Sequence, residues 1–127
     1  MSEDRNAATR ISDAEWEVMR VVWERRTATA QEIVAALAHR AWNARTIKTM
    51  LNRLLGKGAL VAESRGRAYV YRAAVPKEHC VRQESQSFLE RVFGGASGPL
   101  LLHFARRSRL SRVEIEELKA ILDRKKS

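Results

Sequence analysis

Side chains that could read a nucleic acid are concentrated between residues 43 and 57. This stretch carries cations, hydroxyls and amides and no carboxylate. Arg and Lys can donate to guanine, Asn can bridge adenine, and the Thr methyl group can pack on thymine. On a helical wheel with Ile47, Leu51 and Leu54 inward, the polar groups fall on the outer side. The pattern predicts contacts with duplex DNA by Asn43, Arg45, Thr46, Lys48, Thr49, Asn52 and Arg53. The alternative is an ordinary solvated helix face, although such faces usually mix both charge signs.

A second cationic feature is the tripeptide Arg65-Gly66-Arg67. Two guanidinium groups at the tip of a turn can straddle a nucleic-acid backbone and bind its phosphates, which positions a protein without reading sequence. A solvated turn with incidental arginines is the alternative. Around this turn, residues 40–72 hold eight cations and one acid, Glu63. The positive charge is therefore concentrated on this part of the chain.

The helices that must position these groups begin at recognisable capping sequences. Ser12 with Glu15, and Thr29 with Glu32, form capping-box patterns, in which each side chain bonds to the backbone amide of the other residue. They predict one helix that ends near residues 24–26 and a short second helix that ends near His39. Asn43 is a good cap for a third helix.

A hairpin follows the third helix. Gly56 and Gly58 offer a stop for that helix, and two β-rich runs then flank the Arg65–Arg67 turn. Three helices followed by a hairpin is the order of a winged helix. We therefore expect a mainly α (α+β) fold whose residues 11–75 form a winged helix-turn-helix domain with a small β-hairpin wing. Residues 1–10 are polar and are expected to be a flexible N-terminus.

A different region begins at Pro76. Helices are predicted over residues 77–93, 100–104 and 111–124, the last starting at a third capping box formed by Ser111 and Glu114. About 50 residues in three helices make a poor independent core. Their apolar faces are best explained by pairing with a second copy of the chain. Residues 76–127 are thus predicted to be a helical dimerisation domain.

The bulk composition favours a polyanionic partner. The 127 residues include 24 Lys and Arg against 15 Asp and Glu, a net charge of +9. No apolar run is long enough for a transmembrane span, and the N-terminus has no secretory signal. The single cysteine, Cys80, cannot form an internal disulfide, which fits a reducing cytosol. A cytoplasmic protein without membrane insertion is expected.

Catalytic and metal chemistry find little support in the sequence. His39, His79 and His103 are scattered, and no nucleophile–base motif or phosphate loop accompanies them. Cys80 follows His79 directly, and neighbouring residues on a helix project in different directions, so the pair makes a weak chelate. We expect no enzyme activity, no metal and no cofactor. Cys80 could still be an oxidation-sensitive thiol.

The chain resembles the penicillinase-repressor family in motifs that span residues 11–125. The matching stretches are ISDAEWEVM at 11–19, WNARTIKTMLNRL at 42–54, KGAL at 57–60, GRAYVY at 66–71, ESQSFL at 84–89 and EIEEL at 114–118. The resemblance implies a homodimeric winged-helix repressor on a dyad-symmetric operator, near genes for β-lactam resistance or the cell wall. It also implies that Arg45, Thr46 and Thr49 read bases, with Lys48, Asn52 and Arg53 near the backbone or flanking bases.

The resemblance further implies a way to release the DNA. In several members a membrane sensor-protease responds to β-lactam and leads to cleavage in the dimerisation region. The corresponding bond here is His103–Phe104, whereas the matched family examples have Asn before the Phe. This departure puts proteolytic induction in question. The competing interpretation is that Phe104 is simply a core residue of the dimer.

Two functions outside the repressor class stay open on the sequence. A winged helix can serve as a protein-interaction module without DNA, but such a module should lack the cationic third-helix face. It can also bind RNA, although a dimer with paired recognition helices suits duplex DNA half-sites better.

Overall fold

The computed structural model describes residues 10–126. Its elements in chain order are α1 (Asp13–Arg25), β1 (Thr27–Ala28), α2 (Ala30–Ala36), α3 (Ala44–Gly56), β2 (Leu60–Arg65), β3 (Ala68–Ala73), α4 (Lys77–Phe93), α5 (Ser97–Arg107) and α6 (Arg112–Lys126). The chain divides between Ser85 and Gln86 into two compact units, so α4 begins in the first and ends in the second. The predicted flexible N-terminus lies outside the described residues except for Arg10.

All three predicted capping boxes are present. In the first, the Glu15 amide donates to Ser12 Oγ at 3.2 Å and the Ser12 amide donates to Glu15 Oε1 at 2.9 Å. Thr29 and Glu32 make the same pair of bonds at the start of α2. Ser111 and Glu114 make them at the start of α6. These helices therefore begin where the sequence indicates.

Two helix lengths differ from prediction. Helix α2 ends at Ala36 rather than near His39. Beyond it, the Ala38 amide donates to the Ala35 carbonyl and the Arg40 amide to the Leu37 carbonyl. These i→i−3 bonds tighten the chain into a turn instead of extending the α-helix. Helix α5 starts at Ser97 and continues to Arg107, so it is longer than the predicted 100–104.

The sheet has three antiparallel strands in the order β1-β3-β2. The hairpin β2–β3 was predicted, but Arg65 belongs to β2 and pairs with Ala68, so the turn consists of Gly66 and Arg67 only. Gly66 has a φ of 63°, a conformation that glycine adopts without steric cost. Strand β1 was not predicted from the sequence, and its Thr27 pairs with Arg72 of β3.

The core of the first unit lies between α1, α3 and the sheet. Met19, Leu51 and Leu60 are among its fully buried members. Trp23 is partly buried, and its indole N–H donates to the Val75 carbonyl at 3.0 Å, which ties α1 to the segment after the wing. The buried side of α3 is therefore packed against this core, which leaves its outer face exposed.

The second unit has no comparable core within the described residues 86–126, because none of them is buried. Phe88 contacts Phe93 and Phe104, with ring centroids 6.2 and 6.4 Å apart. Nine large apolar side chains of this unit are exposed: Val92, Leu101, Leu102, Phe104, Leu110, Val113, Ile115, Ile121 and Leu122.

Candidate nucleic-acid interface

Helix α3 is fixed at both ends by local bonds. The Asn43 side-chain oxygen accepts from the Thr46 amide at 2.9 Å, which confirms the predicted cap. At the other end Gly58 has a φ of 78°, and the Ala59 amide donates to the Leu54 carbonyl at 3.0 Å. This arrangement is a Schellman motif, which needs a left-handed residue after the cap. The helix can therefore present its outer face in one defined orientation.

The outer face of α3 is accessible along its whole length. Ile47, Leu51 and Leu54 are buried, as the wheel predicts, and Met50 is buried as well. The six candidate residues of the helix are all exposed: Arg45, Thr46, Lys48, Thr49, Asn52 and Arg53. The structure brings them together on one side of one helix, directly after the Asn43 cap. This is the shape and chemistry of a surface that enters a major groove.

The two threonines of this face already use their hydroxyl protons. Thr49 Oγ1 donates to the Arg45 carbonyl at 3.0 Å, and Thr46 Oγ1 donates to Asn43 Oδ1 at 3.1 Å. A hydroxyl has one proton to donate and two lone pairs to accept with. Toward a partner, Thr46 and Thr49 therefore offer a methyl group and an acceptor oxygen. The sequence gives no indication of this restriction.

Three of the eight cations in the basic segment are neutralised within the first unit. Arg40 forms an ion pair with Glu17 at 2.8 Å, and Arg72 forms one with Glu63 at 2.8 Å. The bond from Arg72 holds the pKa of the Glu63 carboxyl below its usual value. The third cation, Lys57, is paired with Glu15. The remaining positive charge belongs to Arg45, Lys48 and Arg53 on α3 and to Arg65 and Arg67 at the wing.

The wing arginines project into solvent. Arg65 keeps 63% of its side chain exposed and reaches Glu63 only at 4.0 Å. Arg67 is exposed and has no ion-pair partner among the described residues. The wing tip and the outer face of α3 therefore both carry cations that are available to an external anion.

Lys57 forms a buried ion pair at the end of α3. Its ammonium group donates to Glu15 Oε1 at 2.5 Å and to the Arg10 carbonyl at 2.9 Å. Glu15 is 1% exposed, and its Oε2 has no hydrogen-bond partner. Burial raises the pKa of this carboxyl, but the bonds from Lys57 and Ser12 outweigh burial and leave the pKa below its usual value. Lys57 thus joins α3 to the start of α1 and is not part of the outer face.

A groove between α3 and the wing adds two residues that sequence reasoning missed. Lys48 and Asn52 line it from α3, Tyr69 from β3, and Gln31 from the start of α2. Tyr69 is 64% exposed, whereas Tyr71, on the same face of the strand, is 7% exposed. The strand face that covers the core at Tyr71 extends beyond it at Tyr69. In the sequence, the signal that could have identified Tyr69 was a pair of tyrosines two residues apart near the tip of the wing.

The remaining candidate sites are the Cys80 thiol, the His103–Phe104 bond, a metal site and a membrane span. Cys80 is 3% exposed, and burial raises the pKa of its thiol, so it is a core residue rather than a reactive surface thiol. His103 and Phe104 lie inside α5, and Phe104 is 48% exposed. Among the described residues no group of His, Cys, Asp or Glu is arranged to hold a metal ion. None of the described helices combines the length and hydropathy needed to cross a bilayer.

The short α2, the turn after it and the outward-facing α3, followed by a β-hairpin, define a winged helix-turn-helix protein of the DNA-binding type. Comparison with known proteins then gives the family. The sequence profile of the penicillinase repressors matches residues 11–124, and the chain belongs to that family. It is therefore a transcriptional repressor and not an enzyme.

Individual relatives agree with this assignment. The chain is 38% identical over 118 residues to the penicillinase repressor of Bacillus licheniformis, which covers 92% of both chains. It is 34% identical over 121 residues to the methicillin resistance regulatory protein MecI of Mammaliicoccus sciuri, covering 94% of this chain and 98% of that one.

Solved structures agree with the fold. The DNA-binding domain of the repressor BlaI superposes with a TM-score of 0.50 at 40% identity, covering 54% of this chain and 85% of that one. A mutant MarR from E. coli superposes with a TM-score of 0.53 at 15% identity and covers 97% of this chain and 86% of that one. The second likeness concerns the winged-helix fold alone.

Proposed function

We propose that this repressor acts as a homodimer on a dyad-symmetric DNA operator, with α3 of each protomer in a major groove. The observation that carries the proposal is the outer face of α3. It is fully exposed, has no carboxylate, and its Arg45, Lys48 and Arg53 have no acidic partner among the described residues. An unpaired cationic face on a capped helix suits the negative backbone and the acceptor-rich base edges of duplex DNA.

Base reading is assigned to Arg45, Thr46 and Thr49, which occupy the N-terminal half of α3. Recognition helices present this end to the base edges. Because their hydroxyl protons are already used, the two threonines would read through methyl contacts with thymine or by accepting from an amino group. Lys48, Asn52 and Arg53 would contact the backbone or flanking bases. Asn43 uses its side-chain oxygen as the cap and keeps its amide N–H groups for a phosphate.

The wing is assigned to the phosphate backbone. Arg65 and Arg67 would bind phosphates beside the groove that α3 occupies, since both are exposed at the tip and Arg65 has only a 4.0 Å contact with Glu63. Tyr69 and Gln31 line the groove between the wing and α3, where a DNA strand would pass. Their hydroxyl and amide groups can donate to phosphate oxygens.

Dimerisation is assigned to residues 76–127. The described part of the second unit buries no residue and exposes nine large apolar side chains. So many exposed large apolar side chains on three helices that bury no residue indicate an interaction surface. A second copy of the same region would cover it and would set the spacing of two α3 helices on the operator.

The regulated genes are assigned to β-lactam resistance or the cell wall, because relatives are a penicillinase repressor and a methicillin resistance regulatory protein. Such a repressor works in the cytoplasm. A membrane β-lactam sensor-protease is the proposed partner for induction. Cleavage of the His103–Phe104 bond is disfavoured, because the bond lies within α5 and the ring of Phe104 packs on that of Phe88. A packing role for Phe104 is favoured over cleavage.

The experiment is a comparison of operator and scrambled duplexes at matched salt. Thr49→Ala should cost about 1–3 kcal/mol on the operator if Thr49 contacts a base edge, and much less on the scrambled duplex. Ser85→Ala is the matched control, because it removes an exposed hydroxyl from α4 instead of α3, and sedimentation checks that both variants assemble as the wild type does. Equal losses on both duplexes would contradict the base-reading assignment. Duplex RNA bound as tightly as duplex DNA would favour the RNA-binding alternative, and no binding to either would favour a protein-interaction module.

A further inference from the structure

A second cationic surface lies in the C-terminal unit. Residues 91–113 contain five arginines and neither an acid nor a lysine. Four of the arginines surround the connection between α5 and α6, and we call them the arginine corner: Arg106, Arg107, Arg109 and Arg112. All four are exposed, and none forms an ion pair with another described residue. The corner is separate in the chain from the α3 face and the wing, the two surfaces proposed to bind DNA.

Helix dipoles account for only half of the corner. Arg106 and Arg107 lie in the last turn of α5, where the carbonyl end of the helix favours a cation. Arg109 lies in the connection, and Arg112 is the first residue of α6. The N-terminal end of a helix favours an anion and disfavours a cation. Arg109 and Arg112 therefore sit where the fold itself gains nothing from positive charge.

The unit carries more cations than its acids can neutralise. Residues 86–126 hold nine cations and five acids, so at least four cations stay unpaired even if every acid binds one. Dimerisation leaves this ratio unchanged, because the second copy brings the same surplus. The acids are also partly engaged. Glu114 accepts from the Ser111 amide at 2.9 Å, which lowers the pKa of its carboxyl, and Glu116 lies 3.9 Å from Lys119.

We propose that the arginine corner binds backbone phosphates of the same DNA duplex that α3 reads. This inference rests on the proposed function. A guanidinium group pairs with phosphate through two parallel bonds. Because the corner and α3 belong to one chain, binding through α3 raises the effective concentration of DNA at the corner, so even a weak phosphate contact adds to residence time. The contact is independent of base sequence.

The test compares two double variants of the full-length protein that carry the same change in net charge. Arg109→Gln with Arg112→Gln removes the unexplained half of the corner. Arg124→Gln with Lys125→Gln is the control, because those cations lie in the last turn of α6, where the helix dipole explains them. Affinity is measured on operator and scrambled duplexes over a salt series, and sedimentation and thermal unfolding check assembly and folding.

The corner variant should weaken binding to both duplexes by the same factor, about tenfold at low salt. It should also reduce the salt slope by about 0.9 for each phosphate that it no longer binds. The control should change the slope far less. Identical slopes for the two variants would overturn the proposal. So would dissociation of the corner variant into monomers, which would place the arginines at the subunit contact.

Binding of the wild type and the corner variant to vesicles containing phosphatidylserine is measured as well. If the wild type binds these vesicles and the corner variant does not, while the salt slope for DNA binding stays unchanged, the corner binds a membrane and the proposal is overturned. A failure of the proposed function would look different. The wild-type protein would then fail to prefer the operator over the scrambled duplex, whereas the corner is tested on both duplexes.

Discussion

Replacing Lys57 with methionine tests whether the buried ion pair at the base of α3 holds the first unit together. The side chain of Glu15 is 2% exposed and that of Lys57 is 29% exposed. Removing one partner of a buried pair leaves an uncompensated charge, which costs about 3–5 kcal/mol. Because Lys57 is partly exposed, we expect the lower end, about 3 kcal/mol of unfolding free energy. Urea unfolding at fixed protomer concentration, followed by tryptophan fluorescence, measures it.

The double variant Glu15→Gln with Lys57→Met should recover most of this loss. A glutamine at the capping-box position can still accept from the Ser12 amide, and it leaves no charge in the core. A coupling free energy of about 1–3 kcal/mol between the two positions is therefore expected from the double-mutant cycle. Additive effects of the two substitutions would refute the idea that they act as one unit.

The pH dependence gives an independent readout. In the wild type the pKa of Glu15 lies below its usual value, so the folded state binds fewer protons than the unfolded state. Its contribution to stability is present at neutral pH and is lost as the pH falls through the folded-state pKa. In Lys57→Met the hydrogen bond and charge of Lys57 no longer lower the pKa of Glu15, so this pKa is higher in the variant than in the wild type. The stability difference should therefore shrink as the pH falls through the pKa of Glu15 in the variant toward that in the wild type. A difference that stays constant from neutral to acidic pH would refute the reasoning.

Three other predictions concern the cap, the thiol and the wing. Asn43→Ala should lower the unfolding free energy by about 1 kcal/mol, because α3 loses its N-terminal cap, and urea unfolding would show it. Cys80 should react slowly with Ellman's reagent in the native protein and fully in denaturant, because burial covers the thiol and raises its pKa; fast native labelling would contradict this. Arg65→Gln with Arg67→Gln should weaken binding to operator and scrambled DNA alike and lower the salt slope by about 0.9 for each phosphate no longer bound. A weakening confined to the operator would contradict a purely phosphate role.

Local signals made much of the secondary structure predictable. The capping boxes at Ser12 and Thr29 in the first unit and at Ser111 in the second depend only on residues three positions apart, and all three form as expected. The spacing of apolar residues in α3 likewise identified both its buried side and its exposed side. The winged-helix order followed from these elements.

Long-range pairings could not be predicted in the same way. Strand β1 has two residues, Thr27 and Ala28, and exists because β3 offers them a partner more than 40 positions away. Lys57 reads as one more cation of a basic run, yet it is turned toward Glu15, 42 positions earlier in the chain. Tyr69 and Tyr71 look equivalent in sequence and differ in burial because the core ends between them. In each case the decisive neighbour lies in another element.

The measurement that tests the central claim most directly is selection of binding sites from a randomised duplex DNA library by the wild-type protein and by Arg45→Ala. Arg45 lies at the start of the exposed face of α3, and arginine pairs with guanine through two donors. The wild type should select a dyad-symmetric site with a guanine at equivalent positions in both halves. The variant should select the same site without that preference. Selection of an unchanged site by Arg45→Ala, or of no symmetric site by the wild type, would contradict the account.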